Sequence, residues 1–88
     1  MPKVVFRMEI FKEGSVYVSL CPELNVSSFG ETIEKAKKAL VEAVEAFIET
    51  CEEMGTLAEV LEESGYHKRG SVWEPREPVV AEKMTVPA

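Results

Sequence analysis

Between Val16 and Cys51 the spacing of apolar residues changes, and that change dictates the layers this chain can build. Val16, Val18 and Leu20 alternate with Tyr17, Ser19 and Cys21, which is the period of a strand. Pro22 has no N–H to give to a ladder, so the strand ends there, and Asn25 to Phe29 forms a short third strand bounded by Gly30. From Ile33 the apolar positions move to helical spacing, with Ala36, Leu40, Ala43, Val44, Phe47, Ile48 and Cys51 on the same stripe. Thr32 stands as N-cap, and Glu34 lies in the first turn, where negative charge suits the helix dipole. A helix from about Ile33 to about Glu53 spans roughly 30 Å, enough to lie across a small sheet.

The flanking segments complete the reading. Val4, Phe6, Met8 and Ile10 alternate with Val5, Arg7, Glu9 and Phe11, and Glu13-Gly14 supplies the turn into the next strand, so residues 4–21 read as a β-hairpin. Gly55 ends the long helix. Thr56-Leu57-Ala58-Glu59 has the spacing of a capping box, which predicts a short second helix closed at Gly65, with Tyr66 folding back on Leu61. Residues 67–78 are rich in Pro, Gly and charge and read as a connector from which Val72 and Trp73 dock on the body. Val79 to Val86 alternates again and predicts a final strand, placed beside the first. The expected fold is α+β, in the order β-β-β-α-α-β: an antiparallel sheet of three to four strands with one long and one short helix on one face. At 88 residues this is one domain, residues 1–88, with a single core.

Composition narrows the function classes. No apolar run approaches the roughly 20 residues that span a bilayer, and the first residues are broken by Arg7, Glu9 and Lys12, unlike a signal peptide, so a cytoplasmic protein with no membrane partner is expected. In that compartment Cys21 and Cys51 read as free, buried thiols. All 16 acidic residues are Glu, with no Asp or Gln and one Asn, a composition that leans towards thermophiles. A net charge of −6 argues against autonomous nucleic-acid binding, which needs clustered Lys and Arg.

Catalytic arrangements find little support. The one histidine, His67, lies beside Lys68 and Arg69 and reads as a solvated loop residue rather than a general base. Cys21, Cys51 and His67 lack the close spacing of a zinc site, and the five glycines are isolated rather than gathered in a phosphate loop. A metal-dependent nuclease built on Glu9, Glu42 and Glu82 would need solvated carboxylates to converge. Phe11, Tyr17 and Phe29 as a base-stacking platform lack interleaved cations beyond Arg7 and Lys12, so they read as core or interface residues. No catalytic residue, metal or cofactor is expected.

The clearest electrostatic feature lies between Lys38 and His67, where no side chain is positive and Glu42, Glu45, Glu49, Glu52, Glu53, Glu59, Glu62 and Glu63 all occur. It reads either as a solvated face that keeps the chain soluble or as a surface that steers and docks a basic protein.

Tyr17-Val18-Ser19-Leu20, Pro22-Glu23-Leu24, Gly30-Glu31-Thr32 and Glu34-Lys35-Ala36, continuing into Ala39-Leu40 and Ala43-Val44, together resemble the HicB-like antitoxin family over roughly residues 4–50. Where that family commonly has Gly-Cys after the Pro-Glu-Leu step, Asn25-Val26 stand here. The resemblance implies a partial RNase H-like β-β-β-α-β domain without catalytic carboxylates, acting as the antitoxin half of a pair by covering a small basic ribonuclease toxin. Pro22, Gly30, Thr32 and Ala36 carry the fold motif: a strand stop, a turn, a cap and a close helix-to-sheet approach. No helix-turn-helix or ribbon-helix-helix follows, so DNA autoregulation is not expected of these residues. The alternative is a self-assembling structural or regulatory adaptor of the same fold, and open sheet edges favour a homo-oligomer in either case.

Overall fold

The computed structural model describes residues 2–88. Strands β1 (Lys3–Val4), β2 (Glu9–Glu13), β3 (Val16–Cys21) and β4 (Val26–Gly30) precede helices α1 (Ile33–Met54) and α2 (Leu57–Glu63), and β5 (His67–Arg69) and β6 (Val72–Glu74) follow. The class is α+β, as the periodicity predicts. The strands form two three-stranded sheets, β2-β3-β4, antiparallel throughout, and β1-β6-β5, in which β6 runs parallel to β1 and antiparallel to β5. No helix among the described residues is long and apolar enough to cross a membrane.

The last part of the chain departs from the sequence reading. Residues 79–86 form no strand. The final β element is instead the β5–β6 hairpin, inside the span 67–78 that composition marks as a connector. Gly70 takes a φ of 61° at its turn, and Trp73 is buried with Lys68 Nζ 5.8 Å from its ring centroid, so a few residues of charged sequence are held by one aromatic anchor. The last strand does lie beside the first, but at Lys3↔Val72 and Val4↔Trp73.

Alternation over residues 4–11 is kept, with Val4, Phe6, Met8 and Ile10 half-buried and Val5, Arg7, Glu9 and Phe11 exposed. The expected hairpin over 4–21 begins only at Glu9, because Lys3–Val4 pairs with β6 in the other sheet and residues 5–8 form no strand. On β3 the face turned towards the helix carries Ser19 and Cys21, both fully buried. α1 lies over β4 and β3 and buries Ala36, Leu40, Val44 and Cys51 along the predicted stripe, while Ile33 remains largely exposed. Leu40 and Val44 meet Cys21, Leu24, Leu61, Tyr66 and Trp73 in one core, so both sheets and both helices share it.

The join between sheet and helix is tight. Thr32 caps α1 by accepting a hydrogen bond from Lys35 N–H at 3.1 Å, and the buried Ser19 hydroxyl donates to the Ala36 carbonyl at 2.8 Å. Gly30 is needed here for space rather than for a turn, since its φ is not positive. A Cβ on it would stand 2.6 Å from Ala36 N and 2.7 Å from the Lys35 carbonyl carbon. Both helices end in paired closing bonds around a left-handed glycine: Gly55 N–H and Thr56 N–H donate to Glu52 and Cys51 carbonyls, and Gly65 N–H and Tyr66 N–H donate to Glu62 and Leu61. Thr56 does not form the expected capping box with Glu59. Its hydroxyl donates back to the Cys51 carbonyl at 3.4 Å, because the α1 closure already claims it.

Gly30→Ala places a methyl group against backbone that cannot swing aside, so it is expected to cost about 3 kcal/mol, at the upper end of overpacking penalties. Each kcal/mol corresponds to roughly 4–8 °C in a chain of this size. Thermal unfolding followed by circular dichroism checks this, and a wild-type Tm in the variant would contradict the close approach.

Candidate interaction surfaces

All eight glutamates of the uninterrupted acidic run are exposed, five on α1 and three on α2. The fold does not gather them in one place. Glu45, Glu49 and Glu52 project at helical spacing along one side of α1 and line a shallow groove of about 430 Å³, floored by Val4, Ile48 and Leu57. Glu62 and Glu63, at the end of α2, border a separate cleft of about 730 Å³ together with Arg7, Glu23, Arg76 and Glu77. Glu42, Glu53 and Glu59 line neither. Among the described residues the groove is lined by carboxylates and apolar side chains alone, whereas the cleft mixes both signs.

Helix electrostatics make this arrangement locally unfavourable. Neither α1 nor α2 has a basic residue in its last turn, although the C-terminal end of a helix carries partial negative charge. Glu45 and Glu49, and Glu49 and Glu53, are like charges four residues apart, which opposes helix formation by a few tenths of a kcal/mol per pair. One ion pair, Glu34 with Lys37 at 3.7 Å, lies at the other end of α1.

The cleft contains a charge pair that the sequence does not signal, since its partners are sixteen residues apart. Arg7 Nη2 and Nε donate to Glu23 Oε2 at 2.8 and 3.2 Å; the Glu23 side chain is only 6 % exposed, while the Arg7 side chain is half exposed. The bond to Glu23 holds Arg7 above its ordinary pKa. Glu23 Oε1 and the Tyr66 hydroxyl are buried without a hydrogen-bond partner, and burial pushes both the Tyr66 phenol and the Cys21 thiol upwards. Glu23 belongs to the turn that links β3 to β4, in which Asn25 N–H donates to the Pro22 carbonyl at 3.3 Å and Asn25 takes a φ of 55°. Leu24 of the same turn is in the core.

A third surface is apolar. Cross-strand register places Phe11, Val18 and Phe29 in one row on the face of β2-β3-β4 opposite α1, with Leu20 beside them; Phe11 is 49 % and Phe29 67 % exposed. Tyr17, considered with these rings above, falls on the other face, where Lys12 Nζ lies 6.0 Å from its ring centroid. Cys21 and Cys51 are free and buried. No group of three or more His, Cys, Asp or Glu side chains among the described residues is placed to hold a metal ion, so Glu9, Glu42 and Glu82 are not brought together, nor are Cys21, Cys51 and His67.

Comparison of the chain with protein-family models, with curated proteins and with solved structures finds no match.

Arg7→Ala leaves the buried Glu23 carboxylate without its partner. The variant is expected to be destabilised at neutral pH, because an uncompensated buried charge is costly. Urea unfolding at neutral pH measures the loss, and a variant as stable as the wild type would contradict it.

Proposed function

We propose that this chain acts by binding rather than by catalysis, as the antitoxin-type half of a HicB-like pair that covers a small basic ribonuclease toxin in the cytoplasm. The supporting observation is the exposed acidic set on α1 and α2, above all the groove of Glu45, Glu49 and Glu52 with its apolar floor. Such a groove suits a cationic side chain whose aliphatic stem packs on Ile48 and Leu57 while its charged head meets the carboxylates. Concentrating glutamates near the end of a helix works against the free chain, and a basic partner removes that penalty.

Local geometry at the motif residues supports this reading. Asn25 stands where the family commonly has glycine and takes a left-handed backbone conformation that glycine or asparagine adopts readily. Gly30 and Ala36 permit the close seam, Thr32 caps, and Pro22 starts the turn that carries Glu23 and Leu24.

Co-expression with a short basic protein encoded beside this chain is expected to give a stable complex in which RNA cleavage by that protein is suppressed. The triple variant Glu45→Gln, Glu49→Gln, Glu52→Gln should weaken the complex about tenfold or more and flatten its salt dependence. Failure of any neighbouring basic protein to co-purify, or a complex indifferent to the triple variant, would refute the assignment of this groove. Conversely, Glu53→Lys should stabilise the uncomplexed chain by about 0.5 kcal/mol at low salt, read from urea unfolding.

A further inference from the structure

Residues 79–86 have the alternation of a strand and no strand partner. Val80, Met84 and Val86, the apolar half of the pattern, are 66 %, 80 % and 79 % exposed, so they are left largely uncovered by the rest of the chain. The consequence is visible in the dimensions. The accessible surface is 6699 Å², whereas a folded monomer of 9.8 kDa exposes roughly 5,200 Å². The surplus, roughly 1,500 Å², exceeds the roughly 800 Å² that each partner covers in a standard interface, so the uncovered surface is large enough to hold one. The radius of gyration, 15.0 Å, likewise exceeds the roughly 12 Å of a compact chain of this length.

The surface that this segment fits is present on the same chain. Among the described residues β2 has one hydrogen-bonded neighbour, β3, and its other edge is open. The β1–β6 register pairs Lys3 with Val72 and Val4 with Trp73; carried forward at the same offset it sets Val79–Glu82 beside Ile10–Glu13. The chain does not continue that way. Pro75 and Pro78 have no N–H for the ladder, the Arg76 stem lies against Gly65, and Pro78 borders the cleft beside Arg7, so the backbone is diverted towards α2.

We propose that segment 79–86 adds as a strand to the open edge of β2 in a second copy of the chain, each copy donating its segment to the other. Val80, Met84 and Val86, which share one parity, then turn to the face that carries the exposed Phe11 of the recipient, and Val80 falls beside that ring. Charge favours this occupant over a basic protein. Lys83 balances Glu82, so the segment is neutral and the whole net charge of −6 resides on the rest of the chain. A neutral strand gives a cationic partner nothing to attract and brings no further negative charge to the recipient sheet. The exchange uses the sheet edge, leaves the acidic groove open and does not rest on the toxin reading.

Size-exclusion chromatography with light scattering on the full chain, with no other protein present, tests it. The wild type should have twice the chain mass, and amides 80–86 should be protected from hydrogen exchange. The double variant Val80→Glu, Met84→Glu and, separately, Phe11→Glu should each run as a monomer with unchanged helical circular dichroism, because all three side chains are exposed in the single chain. A monomeric wild type, whether or not its 80–86 amides are protected, or a dimer that survives both variants, would overturn the proposal.

Discussion

The distance between β4 and the first turn of α1 is the constraint on which the rest depends. Gly30 lets the strand backbone approach that of Lys35 and Ala36 without an intervening side chain, and the Ser19 hydroxyl reaches from the middle strand to the Ala36 carbonyl. With that spacing set, Leu40 and Val44, one and two turns further on, fall over Cys21 and Leu24. A wider gap would leave voids along the whole stripe, since interiors are packed too closely for neighbouring side chains to compensate. The seam is polar at one point only, a buried serine whose single hydroxyl is satisfied.

From that seam the second half of the chain is organised through aromatic residues rather than through long elements. α2 has seven residues and the strands after it three each, too few to hold themselves by hydrogen bonds alone. Leu61, Tyr66 and Trp73, one from each successive piece, enter the same core, so closure of α2 at Gly65 and docking of the hairpin are coupled. The Arg7–Glu23 pair ties the stretch after β1 to the turn after β3 at the margin of that core.

How much of this was legible follows from which interactions are local. The strands around Gly14, the cap at Thr32, the stripe of α1 and the closure at Gly65 all arise between residues a few positions apart, and their patterns stand in the sequence. The hairpin at 67–74 does not announce itself, because its evidence is the fit of Trp73 into a core whose earliest members, Cys21 and Leu24, lie about fifty residues before it. Segment 79–86 shows the opposite failure: alternation reports that a stretch is able to be a strand, not that an edge is available to it, and two prolines remove the local edge. Glu23 was visible as part of a motif, but its partner Arg7 was not, for charge pairing across a fold leaves no spacing to read. The acidic run is contiguous in sequence, yet the turn at Gly55 divides it between a groove on α1 and a cleft beside α2.

Trp73 is the only tryptophan, and it sits in the small parallel-containing sheet rather than under the long helix. Its indole emission therefore reports the seating of the late hairpin, while far-ultraviolet ellipticity is dominated by the 22 residues of α1. The molecule thus carries two independent optical signals for its two halves. Coincidence of the two melting curves would mean that the halves unfold as a single cooperative unit.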